Sequence, residues 1–212
     1  MAVIAGYSTL QTAISDYLAR SDLSTWLPNF TQNWEERFLR EPENWGSWLE
    51  KAFSVSITAI DTAAVPTDYL GLKISYISGQ MGPPLKRISL DQLYSRYPRA
   101  GGTGTPAYIA RNGANFELGP MASSGTIKGT YYAKPTVMRS YTTGGADAAA
   151  HFLIVNAPDL CLYGSLLEAE PFIKNDPRIQ TWSGLYSIAL DAYRGRMKAE
   201  DYSGSAPHTV AG

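Results

Sequence analysis

The hydrophobic period of this chain changes twice, and that excludes any fold made of helices alone or strands alone. Over residues 7–41 and again over 156–202, apolar side chains recur every three or four positions, the spacing of an amphipathic helix. Between Lys51 and Lys134 they recur every second position, the spacing of a half-buried strand. Helices at both chain ends need cover that neither end supplies alone, so the ends should pack together. The expected fold is α+β: a four-helix domain from residues 1–50 and 140–202, an inserted antiparallel β domain over 51–139, and a C-terminal tail over 203–212.

The helices announce their ends. Ser8 followed by Gln11 has capping-box spacing, with Leu10, Ala13, Ile14, Tyr17 and Leu18 on one face. A second helix opens at Leu27-Pro28 and carries Phe30, Trp34 and Phe38, with Glu35, Glu36, Arg37 and Arg40 on its wetter sides until Pro42 stops it. Trp26, Trp34 and Phe38 are the residues this pair cannot hide by itself. Pro158 opens a third helix with Leu160, Tyr163, Leu166 and Leu167, which Pro171 ends or kinks. Asp176 caps a fourth, Pro177 takes its first position, and Ile179, Trp182, Tyr186, Leu190, Tyr193 and Met197 make its stripe. Leu185 and Ile188 lie off that stripe.

In the middle of the chain, Phe53, Val55 and Ile57 alternate with Ser54, Ser56 and Thr58. Leu72, Ile74 and Tyr76 alternate less cleanly with Lys73, Ser75 and Ile77. A strand is expected at Leu85–Ile88, and Ser89 with Gln92 caps a short helix. Asn112-Gly113 is a hairpin signal, and Thr126 to Ala133 reads as a further strand.

Catalytic chemistry finds little purchase. Gly101-Gly102-Thr103-Gly104-Thr105 lacks the Gly-Lys-Ser/Thr and the following helix of a phosphate loop. Cys161 is the single cysteine and sits in an apolar helix pattern, His151 reads as structural, and His208 lies in the tail. These residues offer no internal disulfide, no metal-ligand cluster and no nucleophile paired with a base. Neighbouring carboxylates at Glu35-Glu36 and at Glu168 and Glu170 read as solvated helix faces. No cofactor is implied. With 18 Lys+Arg against 19 Asp+Glu, the chain has no basic excess with which to grip nucleic acid. No apolar run is long enough to span a membrane, and the N-terminus lacks the pattern of a signal peptide.

Several stretches together resemble the head-to-tail adaptor (connector) proteins of tailed bacteriophages. They are Leu10-Gln11-Thr12-Ala13-Ile14-Ser15-Asp16-Tyr17-Leu18-Ala19-Arg20-Ser21-Asp22-Leu23, the helix end Glu35 to Arg40, Ala157-Pro158-Asp159-Leu160-Cys161-Leu162-Tyr163-Gly164 and Leu167-Glu168-Ala169-Glu170-Pro171-Phe172. The resemblance covers both helical ends and matches the β region only in length and character. It implies a non-enzymatic virion protein of the neck, assembled in the host cytoplasm. The implied form is a homo-oligomeric ring, commonly of twelve subunits, between the portal protein and a downstream tail or nozzle protein. Genomic DNA would pass through the lumen without specific binding. By the same resemblance Arg194, Lys198, Tyr202, Pro207 and Val210 become candidates for portal docking, and a closed ring needs two different faces per subunit, for which Leu185 and Ile188 are candidates. The alternative is a carbohydrate- or ligand-binding module that presents Tyr108, Tyr131 and Tyr132 from the β region.

Overall fold

A computed structural model of the chain describes residues 3–20, 22–57, 62–80, 82–98, 103–122, 124–142, 151–173 and 176–201. Helices α1 (Tyr7–Leu18) and α2 (Leu27–Arg40) come first, followed by short 3₁₀ turns at Pro42–Asn44 and Ser47–Leu49. Strands β1 (Glu50–Ser56), β2 (Thr62–Ala64), β3 (Tyr69–Ile77) and β4 (Lys86–Arg87) lead to helix α3 (Leu90–Arg96). Strands β5 (Tyr108–Asn112), β6 (Asn115–Gly119) and β7 (Thr126–Ala133) complete the middle of the chain. After a 3₁₀ turn at Met138–Thr142 come α4 (Phe152–Asn156), α5 (Pro158–Glu168), α6 (Glu170–Ile173) and α7 (Arg178–Asp201). This α+β chain divides into two compact units, residues 1–48 with 136–212 and residues 49–135.

In the first unit α5 is the central helix, with Leu160, Cys161, Leu162, Gly164, Ser165 and Leu166 all buried. It packs against α1, α2, α4 and α7. Gly164 makes this possible: a Cβ there would overlap the Trp34 indole, which is fully buried across it. The Trp34 Nε1–H reaches the Tyr186 hydroxyl of α7 at 3.3 Å, so one side chain of α2 ties α5 to α7. At the start of α7 the Asp176 carboxylate accepts from the Arg178 amide at 2.9 Å, the cap its sequence indicates.

Three expectations change here. The first helix starts before Ser8: Thr9 Oγ1 accepts from the amides of Ala5 and Gly6 at 3.0 Å, while Gln11 reaches across to Thr31 at 2.8 Å. A threonine inside the first turn does the work assigned to Ser8. Glu35 is 1% exposed, because its carboxylate accepts the Met138 amide at 3.1 Å and so has a buried partner. Trp26 stays 46% exposed at the entrance of α2, resting against Phe172.

The second unit contains a three-stranded sheet in the order β1-β7-β3 and a four-stranded sheet in the order β2-β6-β5-β4. Phe53, Leu72, Ile127 and Tyr131 of the first sheet meet Ile109, Phe116 and Leu118 of the second in one core. Between the named strands the pairing is antiparallel except that β4 runs parallel to β5, which corrects the purely antiparallel expectation. The reason is α3, which lies between them in sequence and supplies the crossover that parallel strands require. In β3 the register against β7 shifts between Leu72 and Ile74, and the bulge exchanges the faces. Ser75 and Ile77 turn inward, while Ile74 and Tyr76 are exposed. Gly129 of β7 lies opposite; a Cβ there would overlap the Ile74 carbonyl and Ser75 backbone. The hairpin at Asn112-Gly113 forms with Asn112 paired to Asn115 and the positive φ of 58° carried by Gly113.

Candidate functional site

Helix α7 buries one narrow stripe and leaves the rest of its length uncovered. Trp182, Ala189, Tyr193 and Met197 are buried, with Ile179, Tyr186 and Leu190 half-buried beside them. Polar bonds lock the stripe. The Tyr193 hydroxyl donates to the Asn44 carbonyl at 2.9 Å and accepts the Trp48 Nε1–H at 2.8 Å, and burial pushes its pKa up to about 12. Gly46 lies so close to Met197 that a Cβ would overlap the thioether.

A second stripe runs along the same helix. Thr181, Leu185, Ile188, Ala192, Gly195 and Ala199 follow one another at alternating intervals of four and three, and all are exposed. Ile188 is 69% and Leu185 37% exposed, while a Cβ on Gly195 would meet nothing within contact range. Small residues around two branched ones form a surface against which another helix could lie closely. The unit displays further large apolar side chains in Val155, Trp26 and Phe172. Trp26 and Phe172 stand 5.2 Å apart, and Phe30 lies beneath at 5.0 Å from Phe172. The sequence pattern marks Trp26 as a side chain in need of cover and assigns no contact to Val155 or Phe172. A signal for the Trp26–Phe172 pair was available, since Trp26 precedes the apolar stripe of its helix and Phe172 follows a proline.

The residues expected at a portal contact divide. The Arg194 guanidinium is held within its own unit by Asn44 Oδ1 at 2.8 Å, Glu41 at 2.6 Å and Glu43 at 3.3 Å. Lys198 is exposed in the last turn of α7. Tyr202, Pro207 and Val210 lie outside the described residues.

Two groups of reactive chemistry, His151 and Cys161, are buried in the helical unit. His151 caps α4, its Nδ1 accepting the Leu153 amide at 3.3 Å, so the proton sits on Nε2, 3.6 Å from Glu35. Burial lowers its pKa to about 4, which makes the contact one between a carboxylate and a neutral imidazole rather than an ion pair. Cys161 is fully buried; burial first, then Glu35 and Asp159, push its thiol well above the ordinary range. Neither resembles an activated nucleophile or an accessible base.

The three tyrosines of the ligand-binding alternative are not gathered on one surface. Tyr131 is buried, donating its hydroxyl to Asp68 at 2.6 Å. Tyr132, the next residue on β7, faces the other way with Lys73 near its ring, and Tyr108 belongs to the other sheet, beside Tyr97 and Arg96.

A family model described as SU10 adaptor protein matches residues 5–211. The chain belongs to the SU10 adaptor family. The match runs through both helical ends and the β region alike, so the resemblance first drawn from the helical ends extends over the middle of the chain. No curated protein compared with it matches. Membership makes this a phage head-to-tail adaptor, a structural and not an enzymatic family. No described helix of this SU10 adaptor is long and apolar enough to cross a membrane.

Proposed function

We propose that this SU10 adaptor works as a homo-oligomeric ring, of twelve subunits by analogy with phage connectors, that joins the portal to the next tail component and leaves a channel for the genome. The observation that carries the reading is the second stripe of α7, a helix face whose apolar side chains are exposed and find no cover among the described residues. A ring needs a heterologous interface, one patch fitting a different patch on the next copy. In this reading Leu185 and Ile188 form one patch, and the exposed Trp26–Phe172 pair is a candidate for the other. A nearly neutral chain suits the conduit, because a lumen dense in Lys and Arg would hold the duplex by many phosphate contacts.

Portal docking is assigned to the end of α7 and the tail: Lys198, Tyr202, Pro207 and Val210, with Arg194 anchoring the helix that presents them. Residues 203–212 contain Val210 as their one large aliphatic side chain, beside Gly204, Pro207 and small polar residues. Such a segment binds by laying its backbone along a partner's strand edge or groove. Deleting 203–212 should leave the melting temperature of the isolated protein unchanged and weaken its co-sedimentation with purified portal rings. Unchanged sedimentation would remove the tail from the contact. Negative-stain images of the protein with portal rings test the ring itself, and a monomer under all such conditions would overturn it.

A further inference from the structure

The β unit holds a cavity of about 450 Å³ whose walls include Leu72, Ile88, Ile109 and Phe116, with Arg87 and Arg111 at its edge. The strand pattern explains how two cations come to border an apolar hollow. Arg87 is the register partner of Ile109, and Arg111 follows Ile109 by two residues, so both stand on the side of the sheet that Ile109 turns to the core. An inward charge on an edge strand can serve merely to prevent strand-to-strand aggregation. Edge protection covers both positions, since β4 pairs with β5 only at Tyr108 and Ile109, but it does not account for the apolar hollow that the two cations border.

The two guanidiniums are held but not neutralised. Arg87 donates Nη1–H to the Leu72 carbonyl at 2.8 Å, and Arg111 donates Nε–H to the Gly113 carbonyl at 3.0 Å. Arg111 also lies over the Tyr69 ring, 5.0 Å from its centroid. Neither meets a carboxylate among the described residues. Both act on Tyr69, partly opposing the burial that raises its pKa. Each keeps further N–H donors for an external acceptor.

We infer that this cavity binds an acidic segment of a partner polypeptide, taking one carboxylate between Arg87 and Arg111 and the neighbouring apolar side chain against Leu72, Ile109 and Phe116. Charge complementarity selects the acid, since planar guanidiniums match a carboxylate in a two-pronged fork. The apolar wall selects what accompanies it, and the volume suits one or two side chains. A nucleic acid fits less well. Base stacking needs an open aromatic face, and the Tyr69 ring is already engaged by Arg111 above it, by Tyr131 stacked at 6.1 Å and by Phe116 edge-on at 5.5 Å. The site does not depend on ring formation, and it gives the β unit a partner surface of its own.

The test follows methyl NMR signals of Leu72, Ile88 and Ile109 in the full chain during titration with N-acetyl-Asp-Phe-amide. Parallel titrations use N-acetyl-Asn-Phe-amide, inorganic phosphate and a short oligothymidylate. The Asp peptide should shift these methyls, and the Asn peptide should bind about tenfold more weakly, the loss expected for one charge-assisted hydrogen-bonded pair. Arg111→Gln should weaken the Asp peptide by a similar factor with the melting temperature held. Arg87→Lys, which keeps the charge but not the fork, should weaken it as well. Equal binding of the Asp and Asn peptides, the absence of any shift, or stronger shifts with phosphate or the oligonucleotide would each overturn the assignment. Because the readout is on the free chain, a negative result here leaves the ring proposal standing, and a failed ring assay leaves this one standing.

Discussion

The two units of this adaptor distribute polarity in opposite ways. The helical unit buries Thr31, Glu35, Asn44, His151 and Ser165, and it exposes the large apolar side chains Val3, Trp26, Val155, Phe172, Leu185 and Ile188. Among the described residues, the β unit buries Ser75 and Glu117 as its only polar side chains and exposes Ile74 and Tyr76 as its only large apolar ones. Buried polar groups must be satisfied by specific partners, which fixes a unique arrangement and makes it sensitive to protonation. Exposed apolar groups await a partner outside the unit. The helical unit therefore carries the features of an assembly element, while the β unit is arranged as a self-sufficient module with one charged pocket.

The hardest test of that contrast is to empty the centre of the helical unit. Trp34→Ala removes the indole that fills the space over Gly164 and holds Tyr186, at a cost of about 3–5 kcal/mol. Hydrogen exchange should lose protection throughout α1, α2, α5 and α7 and keep it in β1, β3 and β7. Loss in both sets together would show that the units fold as one, and the comparison would fail.

The reciprocal change is Gly129→Ala in the β unit. Its new Cβ would meet the backbone of Ile74 and Ser75, which cannot swing aside as a flexible side chain could, so about 1–3 kcal/mol should be lost. Here protection should drop in β3 and β7 while α5 and α7 stay protected.

Acid should separate the units without any mutation. The folded-state pKa of His151, about 4, lies below its unfolded value near 6.5, so protons bind the unfolded chain first. The stabilisation is complete above the unfolded value and is lost as pH falls through the folded one, the loss reaching about 2.5 kcal/mol near pH 4.5. Unfolding followed from neutral pH down to pH 4.5 should show the helical unit weakening, and His151→Gln should flatten that dependence. A wild-type slope that survives in the variant would place the sensitivity elsewhere.

How much of this was legible beforehand follows from the same physics. Period alone separates helical from stranded stretches, because it depends on which side chains face one core. A proline in the first turn locates the start of α2 at Leu27-Pro28, and capping side chains locate Ser89 and Asp176, because both signals act within a few residues. Long-range partners are invisible to such rules. Glu35 looks like a surface acid until the Met138 amide, more than a hundred residues later, accounts for its burial. The bulge in β3 is similar: only the pairing with β7 shows that Ser75, not Ile74, faces inward. Arg87 and Arg111 were unremarkable as sequence, since the parallel pairing of β4 with β5 is what brings them to one cavity edge.

The smallest effect on stability should accompany the largest effect on assembly. Ile188→Asp places a charge where the side chain is already 69% exposed, so the isolated subunit should change by less than about 0.5 kcal/mol. If the second stripe of α7 is a subunit contact, the same charge would be buried without a partner on every interface of a closed ring, and each copy would suffer the penalty. Ring formation should then be lost while helical circular dichroism and melting are retained. Leu185→Asp should act in the same direction with a larger folding cost, because Leu185 is only 37% exposed and part of it is already in contact. The pair forms an internal control. A variant series in which folding loss tracks assembly loss would place both residues in the core of the unit, whereas assembly lost at Ile188 with folding intact marks the exposed face as the contact. Native mass spectrometry of the variants with and without portal rings reads both quantities on one sample.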